Sequence, residues 1–141
     1  MYEKILVPLD GSELAELALP YAEELSVKLG SEIILLSVSE SDEVRDYHEH
    51  EVYLEQAVEA TKHGAKRYLK MPEGIIKVRS AISAGHAAEE IVDYADKHDI
   101  SLIIMATHGR SGINRWALGS IAEKVVRAGN TPVLLVRALA K

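Results

Sequence analysis

Nearly continuous apolar runs alternate along the chain with longer segments in which apolar residues recur at helical spacing. The runs at residues 5–7, 33–38, 102–105 and Val133–Val136 are typical of short strands buried on both faces of a parallel sheet. Residues 75–82 instead alternate apolar and polar side chains, which predicts a strand at the edge of the sheet. The chain is therefore predicted to contain five strands.

Four segments between the strands carry apolar residues three and four positions apart, as helices that cover a sheet do. They are residues 14–29, 47–69, 88–95 and 121–126. Ser12 can cap the first helix, whereas Pro20 lies inside it and should bend it or leave one carbonyl unpaired. Residues 39–46 are predicted to form a polar loop. The alternation predicts an α/β fold, an open doubly wound parallel sheet with helices on both faces, and we expect one domain over residues 1–141.

Composition narrows the class of protein and its setting. Of the 141 residues 48% are hydrophobic and 27% are charged, as in ordinary globular domains, and the formal net charge is -6. An acidic chain is a poor general binder of nucleic acid or of an anionic membrane, so we expect neither partner. The sequence has no cysteine, no signal-peptide core and no run long enough to span a membrane. We therefore expect a cytoplasmic protein.

Residues 40–59 are the most acidic part of the chain, with eight Asp or Glu residues and one arginine. His48 and His50 lie in this part, but residues two positions apart on a helix do not share a face. We expect an exposed acidic face here rather than a metal site.

The expected ligand position lies at the ends of two strands. In open doubly wound sheets a ligand binds at the carboxyl ends of the strands, where the winding direction reverses, and the first strand usually borders that reversal. The two ends to consider are Pro8-Leu9-Asp10 and Met105-Ala106-Thr107.

Residues 106–120 (ATHGRSGINRWALGS) contain three glycines, together with His108, Arg110 and Arg115 and no acidic residue. Glycine lets the backbone approach a ligand closely, and Ser120 stands at the start of a helix, where free amides favour an anion. The stretch is neither a P-loop, which needs a GKS/T element, nor a GxGxxG dinucleotide fingerprint. It predicts a phosphate site; the alternative is a long loop that merely changes direction.

Three segments of the chain are distinctive: KILVPLDGSE at 4–13, GHAAEEIVDYADKHDISLIIMATHGRSG at 85–112 and GSIAEKVV-AG-TPVLLVR at 119–137. Together they resemble the universal stress protein family. The resemblance implies an adenine-nucleotide alpha-hydrolase-like sheet with strand order 3-2-1-4-5 and four helices. Family members that bind ATP carry the pattern G-x2-G-x9-G-S/T. Gly109, Gly119 and Ser120 fit it, whereas Ala106 stands at the first glycine position.

The resemblance also implies which residues contact the nucleotide. Around the adenosine they are Pro8, Leu9, Asp10, Val38, Met105 and Ala106, and around the phosphates Gly109, Gly119, Ser120 and Ile121. Asp10 would reach the ribose, and Val38 would pack on the adenine. On charge grounds we add His108, Arg110 and Arg115 as phosphate neighbours, which the family pattern does not require. Mg²⁺ would be held through the phosphates and water.

The resemblance implies a regulatory, stress-response module that binds ATP, with AMP or ADP as other adenine ligands. Whether the protein is an enzyme stays open. Any ATP hydrolysis should be slow, because the sequence has no Walker lysine and no nucleophile paired with a base. One alternative is a weak ATPase or phosphotransferase assisted by Asp10 or His108. The other, favoured by Ala106, is a dimeric interaction module that needs no nucleotide. We also expect a homodimer through Val133–Val136, because an uncovered apolar edge strand invites pairing.

Overall fold

The computed structural model describes residues 1–68, 70, 75–108 and 118–137, with the backbone alone for 65–68. Its strands are β1 (Lys4–Pro8), β2 (Glu32–Ser39), β3 (Lys77–Ala84), β4 (Leu102–Ala106) and β5 (Val133–Val136). They form one sheet in the order β3-β2-β1-β4-β5, and every neighbouring pair is parallel. The predicted fold class and strand order are therefore confirmed.

The helices are α1 (Glu13–Glu16), α2 (Leu19–Leu29), α3 (Val44–Tyr68), α4 (Ala87–Lys97) and α5 (Ser120–Ala128). All four predicted helical segments are present, but the first is divided into α1 and α2. The division falls just before Pro20, which lies in the first turn of α2, where its missing N–H interrupts no hydrogen bond of that helix. The sequence therefore located the interruption, and the structure places Pro20 at a helix start and not inside one continuous helix. The predicted polar loop is shorter than expected, since α3 already begins at Val44.

Each face of the sheet carries its own part of the core. On one face Ile5 and Val7 of β1 pack in a buried cluster with residues of α2 and α3, such as Leu54. On the other face Leu6 packs in a cluster with α4 and α5, to which Val125 belongs. Because β1 is followed by β2 on one side and bordered by β4 on the other, the winding reverses between β1 and β4.

The two edges of the sheet are β3 and β5. The partly exposed β3 confirms the edge position that its alternating sequence predicts. Within the described ranges, no helix has the length and the apolar character needed to cross a membrane.

Candidate functional site

A cavity of about 430 Å³ opens at the carboxyl ends of β1 and β4, where the winding reverses. This volume is within the range of small-molecule sites in proteins. The cavity is lined by Pro8, Leu9, Asp10, Ala15, Val38, Ala87, Ile91, Met105, Ala106, Thr107, His108, Gly119, Ser120, Ile121 and Ala122.

The structure brings most of the residues predicted for the site to this one cavity. Those that line it are Pro8, Leu9, Asp10, Val38, Met105, Ala106, His108, Gly119, Ser120 and Ile121. Gly109 and Arg110, and with them Arg115, lie outside the described residues.

Five lining residues were not among the predicted contacts: Ala15, Ala87, Ile91, Thr107 and Ala122. Ala87 and Ile91 belong to the first turns of α4, which follows the distant edge strand β3 and returns over β2 to the crevice. Their sequence signal was the apolar stripe of this helix, which indicated burial and not a ligand. Thr107 belongs to one of the two strand ends at which the sequence predicts a ligand, although the sequence assigns no specific contact to it.

At the end of β1 the carboxylate of Asp10 is fixed by Ser12. The Ser12 backbone N–H donates to Asp10 Oδ1 at 2.9 Å, and the Ser12 hydroxyl donates to the same oxygen at 2.5 Å. Ser12 Oγ in turn accepts from the Ala15 N–H at 3.2 Å, so Ser12 caps α1 as predicted. Asp10 therefore closes the turn with Oδ1 while it borders the cavity.

A second carboxylate lies near this end of the cavity. The hydroxyl of Tyr53 donates to Glu16 Oε2 at 2.7 Å. Burial, the hydrogen bond with Glu16, and the charges of Glu16 and Asp10 together raise the pKa of Tyr53 above its ordinary value. The end of β1 is thus negatively charged, and it suits a hydroxyl donor better than a phosphate.

The opposite end of the cavity is the amino terminus of α5. Gly119 precedes the helix and has no side chain to cap it. The Glu123 N–H donates to the Gly119 carbonyl at 2.9 Å, so the amides of residues 120–122 lack an acceptor within the helix. Together with the helix dipole, such amides favour an anion.

Gly119 brings this helix start against the end of β4. Its N–H donates to the Thr107 carbonyl at 2.8 Å. A β-carbon on Gly119 would lie 2.6 Å from that oxygen and 3.3 Å from His108 Cα. The φ of Gly119 is -60°, so the glycine is needed for space and not for an unusual backbone conformation. The His108 ring Nδ1 lies 3.1 Å from the Thr107 hydroxyl, at the rim of the same end.

Ala106, which replaces the first glycine of the ATP-binding pattern, is the last residue of β4. Among the described residues other than glycine, only Lys70 and Asp99 have a positive φ. Ala106 therefore occupies its position without backbone strain, and its alanine is compatible with the strand end.

The third element of the site is the backbone of Val38. In β2 the Leu36 carbonyl faces β1 and accepts from the Leu9 N–H at 2.8 Å, whereas the Ser39 carbonyl faces β3 and accepts from the Gly85 N–H at 2.9 Å. Backbone groups alternate in direction along a strand. The N–H and C=O of Val38 consequently point past the end of β1, toward the crevice where Val38 lines the cavity.

The described residues contain no group of three or more His, Cys, Asp or Glu side chains placed to hold a metal ion.

Comparisons with known proteins agree with this geometry. The family model described as the universal stress protein family matches residues 1–137. The universal stress protein MJ0577 of Methanocaldococcus jannaschii is 32% identical, and the match covers 97% of this chain and 96% of that protein. The solved structure of MJ0577 superposes with a TM-score of 0.73 at 34% identity and covers 100% of this chain and 99% of that one.

Two further solved structures have the same fold and hold a nucleotide. The universal stress protein from Archaeoglobus fulgidus in complex with dAMP has a TM-score of 0.73 at 23% identity, covering 95% of this chain and 97% of its own. A universal stress protein in complex with cAMP has a TM-score of 0.76 at 21% identity, covering 98% of each chain. The family match over nearly its whole length, together with its relatives and its architecture, shows that this chain belongs to the universal stress protein family.

Proposed function

We propose that this protein binds ATP in the cavity between β1 and β4 and serves as a regulatory module of the stress response in the cytoplasm. The observation that carries the proposal is the opposite character of the two ends of one cavity. The α5 amino terminus offers amides that have no acceptor within the helix at one end, and the end of β1 offers the Asp10 carboxylate at the other. This arrangement suits a ligand with a polyanionic end and a hydroxyl-bearing end.

The charges set the orientation of the nucleotide. The phosphates lie against the amides that begin α5, with the Ser120 hydroxyl and His108 beside them. The ribose hydroxyls donate to Asp10, whose negative surroundings would repel a phosphate. Mg²⁺ enters with the phosphates and is held by them and by water. Gly109, Arg110 and Arg115 stay predicted phosphate neighbours.

Adenine is favoured by the backbone edge at Val38. Adenine presents an amino donor beside a ring-nitrogen acceptor. This pair matches the C=O and N–H that one strand residue presents in the same direction. The complexes of two universal stress proteins with dAMP and cAMP support an adenine ligand for this fold. Because their likeness to this chain concerns the fold, the choice of base rests on Val38.

Isothermal calorimetry and thermal unfolding with Mg-ATP test the proposal. If the dissociation constant is about 10 μM, 1 mM ATP should stabilise the protein by about 2.7 kcal/mol and raise the melting temperature by about 5–10 °C. ITP has the same sugar and phosphates with a different base edge and should bind more weakly. Absence of both heat and a melting shift at millimolar Mg-ATP would rule out the proposed function and favour a nucleotide-independent module.

We also propose that two copies pair through β5. It is the outer strand beside β4, and its Val133, Leu134 and Leu135 are only half-buried. The carbonyls of Pro132 and Val136 accept from β4, which places the alternate residues Val133 and Leu135 with their backbone groups outward. A symmetric pair through these groups would cover the edge.

A further inference from the structure

Four polar side chains connect the end of β2 to the first turns of α3. The Ser37 hydroxyl is hydrogen-bonded to His50 Nδ1. The Ser39 hydroxyl donates to Asp46 Oδ2 at 2.5 Å, and His50 Nε2 lies 3.5 Å from the same oxygen. We refer to Ser37, Ser39, Asp46 and His50 as the β2–α3 network.

The network is buried at its two serines and partly exposed on α3. Ser37 is 0% exposed and Ser39 is 1% exposed, whereas the side chains of His50 and Asp46 are 16% and 34% exposed. Because Nε2 faces the Asp46 carboxylate, the proton of a neutral His50 is best placed on Nε2, which leaves Nδ1 to accept from Ser37. Asp46 then accepts a hydrogen bond from Ser39, and its Oδ2 lies within ion-pair distance, 3.5 Å, of His50 Nε2.

The two serines of the network flank the residue that we assign to the base. Side chains alternate across a strand. Ser37 and Ser39 therefore point toward α3, while Val38 between them packs against the cluster on the opposite face and lines the cavity. A polar contact is thus made on each side of the Val38 peptide unit.

This part of β2 lacks the lateral support that holds the rest of the strand. The pairing of β2 with β1 ends at Pro8 and Leu36, and one more bond joins the Leu9 N–H to the Leu36 carbonyl. Beyond that point β3 borders β2 on one side, up to the pair Ser39 and Ala84. The other side faces the crevice. The network restrains this part of β2 from the face of the sheet that α3 covers, at the point where the hydrogen bonds between β2 and β1 have ended.

We propose that His50 and Asp46 are positioning residues for the nucleotide base, acting through Ser37 and Ser39 to fix the backbone of Val38. The inference rests on the proposed function and extends it to two residues of α3 that line no part of the cavity. A base edge held by two backbone groups depends on their placement, because hydrogen bonds weaken steeply with misalignment. Loosening the network therefore reduces recognition of the base and leaves the phosphate contacts at α5 in place.

By thermodynamic linkage, the effect of the network on adenine binding implies an equal effect of adenine binding on the network. If the network favours the binding-competent position of Val38, bound adenine must stabilise the network by the same free energy. Occupancy of the cavity would thereby reach the first turns of α3, on the surface of the protein. Amide hydrogen exchange in residues 44–53 should slow when ATP binds.

The deciding experiment compares ATP with ITP on full-length variants by calorimetry. His50→Ala should weaken ATP binding about fivefold or more and leave ITP binding within about twofold, so that the preference for adenine falls. Ser37→Ala should do the same and serves if His50→Ala folds poorly. His50→Asn keeps a polar atom near the place of Nδ1 and should restore part of the preference. His48→Ala, an exposed position on the same helix, is the matched control and should change neither affinity.

Each outcome has a definite meaning. A parallel loss of ATP and ITP affinity in His50→Ala and Ser37→Ala would show that the network only fastens α3, which overturns the inference. Unchanged ATP affinity in both variants overturns it as well. Equal binding of ATP and ITP by the wild type would refute base recognition at Val38 while leaving nucleotide binding intact. Absence of any ATP binding by the wild type is the separate failure of the proposed function.

Discussion

A β-carbon on Gly119 would lie 2.6 Å from the carbonyl oxygen of Thr107, to which the Gly119 N–H donates at 2.8 Å. At Gly119 the start of α5 therefore meets the end of β4 through backbone atoms. The phosphate site that we propose depends on this contact, because it sets the distance between the first amides of α5 and the floor of the cavity.

Gly119→Ala should damage the site more than the fold. The methyl group must push α5 away from β4, since the atom that it meets is backbone and cannot rotate aside. We expect ATP affinity to fall about tenfold or more and stability to fall by about 1–3 kcal/mol. Calorimetry and denaturant unfolding measure the two effects separately.

Gly30→Ala is the matched control for that substitution. Gly30 ends α2 with a φ of 71°, and a β-carbon there meets no atom within 4 Å. It lies by the amino ends of the strands, away from the cavity. The variant should lose about 1 kcal/mol of stability through backbone strain and keep its ATP affinity. Equal loss of affinity in both variants would mean that general destabilisation, and not the contact at Thr107, explains the effect.

Asp10→Asn tests the assignment of the ribose. The amide can still accept from Ser12 through one oxygen, but it no longer offers a carboxylate to a hydroxyl donor. ATP affinity should fall about tenfold. A ligand lacking the ribose hydroxyls, 2′,3′-dideoxy-ATP, should bind the wild type and the variant about equally by calorimetry. If the variant weakens both ligands alike, Asp10 acts through the turn and not through the sugar.

The sequence predicts those residues of the site that lie at the ends of strands, and it misses those that reach the cavity from a helix. Pro8, Asp10 and Ala106 stand directly after or at the end of buried strands, and the parallel topology brings such ends together. Ala87 and Ile91 reach the cavity only because α4 crosses back over the sheet, and an apolar stripe shows that a helix is buried without showing what it faces.

The β2–α3 network is a second case in which the sequence pattern does not show what a helix side chain contacts. The acidic sequence around His48 and His50 predicts an exposed face for both. The expectation is right for His48 and wrong for His50, which turns inward to Ser37. The helical period places the two histidines on different faces, but the hidden partner lies on a strand 13 residues earlier. Only the packing of α3 on the sheet reveals the pair.

The proposed β5 interface can be tested by removing one backbone donor. Leu135 has its N–H on the outer side of the edge strand, so Leu135→Pro deletes that donor without removing a bond to β4. Leu135→Ala loses comparable packing but keeps the N–H. By sedimentation analysis, we expect the wild type and Leu135→Ala to be dimers and Leu135→Pro to be a monomer. A dimeric proline variant with native unfolding behaviour would place the interface elsewhere.

Glu23 should make the stability of the protein depend on pH in the direction opposite to that of an ordinary salt-bridged carboxylate. Glu23 is buried in α2, and its carboxylate fills the space above Gly64 of α3, where a β-carbon would lie 2.5 Å from Glu23 Oε1. Burial raises its pKa from 4.5 to about 7. The native state therefore binds this proton more tightly than the unfolded chain does, and stability is lost as pH rises from about 4.5 to about 7.

Glu23→Gln keeps the shape of the side chain and removes the ionisation. The variant should match the wild type near about pH 4.5 and exceed its stability above about pH 7.5, by at most about 3 kcal/mol. Denaturant unfolding across this pH range measures the difference. Glu24→Gln is the control, because Glu24 is exposed in a pair with Lys28 at 3.0 Å and should produce no such divergence. A wild type whose stability stays parallel to that of Glu23→Gln from acid to alkaline pH would show that the buried carboxyl is accommodated in its charged form.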